Sequence, residues 1–156
     1  MLAADVDALV DTVNTEGVMG KGLALQVRAA FPDVFAAYAQ VCKAGAVEVG
    51  RMHVVRRAGR PRVVVNFPTK QRWRQPSQLA YVRDGLRDLI AQVRVLGIAS
   101  IAVPPLGCGL GGLPWADVRP LIVAAFAELP DVRVLLFEPG EAQAGGGAES
   151  GRRRRR

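Results

Sequence analysis

Two glycine-rich runs carry the clearest capacity for chemistry in this chain: NTEGVMGKG, with Gly17, Gly20 and Gly22, and LGCGLGG, with Gly107, Gly109, Gly111 and Gly112. Glycine admits positive φ and lets main-chain N–H groups approach a ligand with no Cβ in the way. Successive N–H groups at a helix N-terminus make an anion site, aided by the helix dipole. Each run follows an apolar stretch of strand character and precedes a helical one, so both belong on one rim. Two such loops suit a diphosphate, which needs donors on two sides. Neither is a Walker loop, because no Gly-Lys-Ser/Thr stands at the required spacing. Neither follows the Rossmann pattern of GxGxxG with an acidic residue about twenty positions on.

A second cluster is Lys70, Gln71, Arg72, Trp73 and Arg74, which crowds positive charge and an indole into one loop. Cations neutralise phosphates, and an indole face gives bases a stacking platform. Arg72, Trp73 and Arg74 are therefore candidate nucleic-acid contacts, with Arg60 and Arg62 expected on a nearby hairpin. Trp115 opens a helix directly after the second glycine run and reads as core packing. The single histidine, His53, lies in a strand pattern and reads as a structural imidazole. Cys42 and Cys108 are too far apart in sequence for a disulfide framework or a metal-ligand spacing, so both are expected reduced, with no metal and no cofactor.

The chain has 156 residues and is 50% hydrophobic, enough for one domain with a sizeable core. Its net charge of +7 suggests an anionic partner, but five of those charges are Arg152 to Arg156, which leaves +2 elsewhere. That run follows GEAQAGGGAESG, a stretch that cannot build a core, so residues 140–156 are expected to form a disordered Gly/Ala/Arg-rich tail. No apolar stretch approaches the roughly 20 residues that span a bilayer. The acidic MLAADVDALVD start lacks the pattern of a signal peptide. A cytoplasmic monomer without a membrane partner is the resulting expectation.

The elements that must position these residues read as follows. Val6 to Val13 is a buried strand ending in a turn-forming cluster. Gly20 to Ala30 has apolar residues at helical spacing, Pro32 interrupts it, and a second helix runs from Asp33 to Lys43, closed by Gly45. Met52 to Val55 and Arg62 to Phe67 are two strands joined at Ala58-Gly59-Arg60-Pro61, followed by a polar loop from Pro68 to Pro76. Ser77 is expected to cap a long amphipathic helix that ends at Gly97. Ser100 to Val103 is a strand, Trp115 to Leu129 a helix and Val132 to Phe137 the last strand. Alternating helices and strands favour an α/β sheet with helices on both faces, whose ligands sit beyond the carboxyl ends of the strands.

At these residues a resemblance becomes specific. VDTVNTEGVMGKGLALQ is similar to the first ligand loop of macrodomains of the terminal ADP-ribose glycohydrolase and DarG branch, and PPLGCGLGGLPW to their phosphate-cradling second loop. NFPTKQRWRQPSQLAYVRDGL resembles the segment that marks DarG, the antitoxin that removes ADP-ribose from thymidine in DNA. The resemblance covers residues 4 to 138. It implies a three-layer α/β/α macrodomain over residues 1–139 with a mixed central sheet, the family's first strand falling ahead of Met1.

Carried over residue by residue, the resemblance places Asn14 at the distal ribose and Gly17, Met19, Gly20 and Gly22 at the backbone contacts of the first loop. Gly107, Cys108, Gly109, Leu110 and Gly111 fall on the diphosphate loop, where main chain does the binding. Lys70 falls on the lysine beside the ribose anomeric carbon. A lowered pKa would make it a nucleophile towards an opened ribose; a charged ammonium would orient or protonate instead.

Three departures bear on mechanism. Asp11 stands where the family has asparagine, and its carboxylate would either repel the diphosphate or occupy a structural position. Gly111 stands where the protein-directed glycohydrolase has an acid, which speaks against a covalent lysine adduct. The acidic residue that reads the adenine amine would precede Met1, so adenine selectivity is expected to be relaxed. The implied activity is hydrolysis of ADP-ribose from thymidine in single-stranded DNA, as antitoxin to a cognate DNA ADP-ribosyltransferase. The competing readings are a non-catalytic ADP-ribose reader and a hydrolase of protein-linked ADP-ribose. Simple nucleic-acid binding explains the charge but not the paired glycine loops.

Overall fold

A computed structural model of the chain describes residues 1–140 and 153–155. In chain order the elements are β1 (Ala8–Asn14), α1 (Gly22–Ala30), α2 (Pro32–Lys43), β2 (His53–Arg56), β3 (Val63–Lys70), α3 (Leu79–Leu96), β4 (Ser100–Val103), α4 (Trp115–Phe126), β5 (Arg133–Phe137) and β6 (Arg153–Arg155). The sheet order is β2-β3-β1-β4-β5-β6. β3, β1, β4 and β5 run parallel, while β2 and β6 are antiparallel to their neighbours. The sheet is therefore mixed, as expected.

Burial on both faces explains why β1 and β3 read as near-continuous apolar runs. On one face Ala8, Val10, Val63 and Val65 pack with Val82, Leu86 and Leu89 of α3 and Val118 and Ile122 of α4. On the other, Leu9 and Val64 pack with Leu23 and Val27 of α1 and Val34 of α2. The result is three layers, α1 and α2 over the sheet over α3 and α4. β1 is the switch point: the chain leaves it for β3 on one side and β4 lies on the other, which opens a crevice at their carboxyl ends.

Local signals set the element ends. Phe31, restricted by the following proline, breaks α1 from α2, and Pro32 starts α2. Gly97 takes φ 62 and closes α3 in a Schellman turn, its N–H on Arg94 O at 3.2 Å and the Ile98 N–H on Val93 O at 3.1 Å.

Three expectations need correction. β3 continues through Pro68 to Lys70 rather than stopping at Phe67. β2 pairs only as far as Asn66, so Pro68 sits where one edge of β3 is open and a missing N–H is tolerated. Ser77 does not cap α3; Gln78 occupies that position with no side-chain bond, and the Ser77 hydroxyl is buried beneath the second glycine loop. Arg60 and Arg62 are not near the basic loop. They lie before the first residue of β3 whereas Lys70 is its last, and they are occupied: Arg60 with Asp5 at 2.6 Å and Asp7 at 3.1 Å, Arg62 with Asp7 at 3.8 Å. Within the segment expected to be a disordered tail, Arg153–Arg155 pair with the otherwise open edge of β5, and the rest of it, beyond Gly140, lies outside the described residues.

Among the described residues no helix is long and apolar enough to cross a membrane, and no group of three or more His, Cys, Asp or Glu is placed to hold a metal ion.

Candidate functional site

The carboxyl ends of β3, β1 and β4 open into a cavity of about 230 Å³. Its walls come from the three segments singled out by residue type: Asn14, Val18, Gly20, Lys21 and Gly22 from the first loop; Gly107, Gly109, Leu110 and Gly111 from the second; and Thr69, Lys70 and Trp73 from the end of β3. Strand geometry explains the convergence, because parallel neighbours deliver their C-terminal loops to the same edge.

Lys70 reaches the cavity through an irregularity in the sheet. The β1–β3 register runs evenly from Ala8↔Val63 to Val13↔Pro68, then skips Thr69 so that Asn14 faces Lys70. Such a bulge re-aims the following side chain. Partial burial pushes the Lys70 ammonium below the ordinary lysine range. Lys21, which residue type alone did not single out, is the other cation on the cavity wall.

Asn14 is nearly buried and its amide is largely engaged within its own loop. Its Oδ1 accepts from Glu16 N–H at 2.9 Å and Gly17 N–H at 3.1 Å, while Nδ2 donates to Val18 O at 2.9 Å. This side chain shapes the loop at least as much as it faces a ribose. Gly17, at φ 95, turns the loop over α2, where a Cβ would stand 3.2 Å from that of Cys42. Met19 does not line the cavity; its side chain is fully buried with Val13 and Tyr38 and anchors the loop from below.

The second loop is as tightly determined. Gly107 takes φ 73, and a Cβ there would meet Leu113 Cδ1 at 2.7 Å. A Cβ on Gly111 would fall 2.6 Å from Gly107 O and closer still to Ser77 Oγ. An acid at position 111 is therefore incompatible with this loop, a physical reason for its absence. The Cys108 thiol turns away towards Leu106 O at 3.6 Å, and burial raises its pKa to about 11, which leaves it a thiol at neutral pH.

The loop after Lys70 is bonded to the first loop. Thr15 N–H and Oγ1 both donate to Gln71 O, at 3.0 and 2.8 Å, and Trp73 N–H donates to Glu16 Oε2 at 3.3 Å. Trp73 is 38% exposed at the cavity mouth, with the Arg74 guanidinium 4.6 Å from its ring centroid. Arg72 lies outside the cavity, in a shallower cleft shared with Glu16, Glu48 and Gln71. Trp115 packs against the main core and His53 bonds Asn66, both as the patterns implied.

Asp11 is fully buried and does not line this cavity. It pairs with Asn66 across β1 and β3, on the face that Leu9 and Val64 share with α1 and α2. Burial pushes the Asp11 carboxyl well above the ordinary carboxylate range, against a smaller downward pull from the Thr12 N–H, and Asn66 Oδ1 has no hydrogen-bond partner. The carboxyl thus takes the structural position rather than one facing a diphosphate.

Comparison with known proteins agrees with this geometry. The Macro domain family model matches residues 10–122. The DNA ADP-ribosyl glycohydrolase of Mycobacterium tuberculosis is 52% identical over 141 residues, 89% of this chain and 40% of that protein. A DNA ADP-ribosyl transferase–DNA ADP-ribosyl glycohydrolase fusion protein of Thermosipho africanus is 35% identical, over 90% of this chain and 40% of its own length. The chain thus spans about 40% of the length of these two relatives. Among solved structures, the macrodomain of Mycobacterium tuberculosis DarG superposes with a TM-score of 0.88 at 52% identity, over 89% of this chain and 93% of that one. Thermosipho africanus DarTG in complex with ADP-ribose gives 0.82 at 36% identity, over 88% and 39%. With its three-layer sheet, its paired glycine loops and these matches, the chain belongs to the macrodomain family, beside the DarG macrodomains.

Proposed function

We propose that this domain binds ADP-ribose in the cavity between the two glycine loops and hydrolyses the bond joining it to thymidine in single-stranded DNA, as antitoxin to a DNA ADP-ribosyltransferase. The single observation that carries the reading is Lys70, set by the bulge beside Asn14 at the mouth of a cavity walled by both loops. The DNA ADP-ribosyl glycohydrolase named among relatives 52% identical to this chain, and the fusion of that activity to a transferase in a relative 35% identical, support the substrate and the partner.

In this reading the main-chain amides of Gly20, Gly22, Gly107, Gly109 and Gly111 face the diphosphate, with Cys108 and Leu110 contributing backbone, and Lys21 adds a counter-charge. Asn14, Gly17 and Met19 hold the first loop in shape, and the remaining Nδ2 hydrogen of Asn14 serves the distal ribose. Water adds to C1″ as the N-glycosidic bond breaks, and the departing ring nitrogen takes a proton. Lys70 orients the ribose and gives that proton as a general acid, and the proton shed by the adding water restores its ammonium. With Gly111 in place of an acid, no group stands ready to resolve a lysine adduct, so direct hydrolysis is favoured over a covalent route. Trp73 and Arg74 give the neighbouring base a stacking surface, and Arg72 meets phosphate. A base inside a duplex cannot reach Lys70, which favours single strands.

The test is parallel incubation with an ADP-ribosylated thymidine oligonucleotide and a mono-ADP-ribosylated protein, reading released ADP-ribose by chromatography. Release from the oligonucleotide alone is expected. Release from protein alone would transfer the assignment to protein-linked ADP-ribose, and binding without release would make the domain a reader.

A further inference from the structure

The first loop bears the ribose-side asparagine, yet its shape is held from outside the loop by a residue that belongs to neither glycine run. Tyr38 lies on α2, fully buried, with its ring packed against Met19 and Val13 and 6.5 Å from that of Phe35. Its hydroxyl sits 2.8 Å from the Asn14 carbonyl oxygen and 2.9 Å from Asn14 Oδ1, sharing its one hydrogen between them. The same oxygen accepts the Gly17 N–H at 3.2 Å. One phenol therefore ties the last residue of β1 to the glycine that turns the loop, across 24 and 21 positions of sequence.

We infer that Tyr38 is a positioning residue for ADP-ribose binding, fixing the Asn14 amide and the Gly17 turn in the ligand-ready arrangement before ligand arrives. The inference rests on the reading of this cavity as an ADP-ribose site. Its chemistry is consistent at each atom. A buried polar network must be satisfied throughout, and removing one member leaves the others with unpaired groups. Without the hydroxyl, the Asn14 carbonyl loses its donor, and Oδ1 retains only the loop's own N–H groups. The loop then keeps its van der Waals contacts with α2, through Met19 and at Cys42, but loses this polar tie. Burial keeps the phenol protonated throughout the working pH range, so it remains a donor. No element of the catalytic step passes through Tyr38. Its action is on where the loop stands, and so on ligand affinity rather than on turnover of bound substrate.

Tyr38→Phe keeps the ring and removes only the hydroxyl. Calorimetry should show the Kd for free ADP-ribose rising roughly tenfold. On ADP-ribosylated thymidine oligonucleotide, KM should rise by a similar factor while kcat stays within about twofold. Hydrogen exchange read by mass spectrometry should quicken in the peptide containing residues 14–18 and stay unchanged in β4 and β5. Val93→Ala, in the core on the other face of the sheet, is the comparison. It should lower Tm at least as far as Tyr38→Phe and leave the ADP-ribose Kd unaltered. A Tyr38→Phe protein with wild-type Kd overturns the inference, as does a Val93→Ala protein equally weakened in binding. One measurement needs no variant: the Gly17 amide of the ligand-free wild type should be protected from exchange, and an unprotected amide overturns the inference too. The two levels separate cleanly. Wild type that binds ADP-ribose but releases none from DNA defeats the hydrolase reading alone, whereas wild type that does not bind ADP-ribose defeats both.

Discussion

Asn14 and Lys70 face each other across β1 and β3 only because the register skips Thr69. With even pairing Asn14 would oppose Thr69, and the ammonium would project from the next position along the strand, on the opposite face. The bulge brings the loop-shaping amide and the Lys70 ammonium to one edge of one cavity.

Lys70→Ala should therefore separate binding from chemistry. The expected outcome is a fall in kcat on ADP-ribosylated thymidine DNA of about 100-fold or more, the usual scale for losing a positioned proton donor. The calorimetric Kd for ADP-ribose should stay within about threefold. Full turnover by the variant would falsify the assignment of Lys70.

The pH profile of kcat gives an independent check. Burial depresses the Lys70 pKa, so its proton is lost at lower pH than from a free lysine. If the charged form acts, kcat is full below the folded pKa and declines as pH rises through it, before an exposed lysine would titrate. In Lys70→Arg, always protonated, that decline should vanish. A rate that instead climbs with pH would show the neutral amine at work.

Gly111→Ala places a methyl group against Gly107 O and the Ser77 hydroxyl. The loop has to shift, and ADP-ribose affinity should drop by about tenfold or more with a lowered Tm. Adding Ser77→Gly removes the side-chain half of the collision but not the carbonyl half. Thermal shift and calorimetry on the double variant should show partial recovery, a non-additive result expected of touching residues. Strict additivity would mean the collision is not what matters.

Asp11 makes stability depend on pH in an unusual direction. In the folded protein its carboxyl is held protonated well above the ordinary range, whereas in the unfolded chain it ionises near pH 4. Folding then takes up a proton, so this group's contribution is fully present below the unfolded pKa and is lost as pH rises through the folded one, with a slope of up to ~1.4 kcal/mol per pH unit. Asp11→Asn removes that dependence and offers an N–H to the unpartnered Asn66 Oδ1. Its Tm advantage over wild type should widen between pH 5 and pH 8. Asp7, whose pKa is lowered chiefly by the Ala99 N–H, has the opposite sign but is common to both proteins and cancels. A Tm difference that does not change with pH would rule out a neutral Asp11.

Much of this was legible from local pattern. The strand β4, the stop at Gly97 and both glycine loops follow from composition and spacing, because each is specified by residues within a few positions of one another. What stayed hidden was set by distant partners. Nothing around Tyr38 announces a bond to Asn14, since the two meet only when α2 folds over β1. Ser77 has the residue type of a helix cap, yet it lies under Gly111 because the second loop needs a small neighbour there. Arg60 and Arg62 stand close to Lys70 in sequence, but the eight-residue strand β3 sets them beyond its opposite end, where Asp5 and Asp7 neutralise them.

The seam between Thr15 and Gln71 has a kinetic consequence. Because the strap carrying the lysine is already stitched to the neighbouring bend, the receptor is assembled in advance and asks no large rearrangement of its guest. Little ordering remains to be done at the moment of capture, so little affinity is surrendered to it. If the proposed substrate is the true one, the rate of its capture should follow from how often the two molecules collide in a usable orientation, and its residence time from the grip alone.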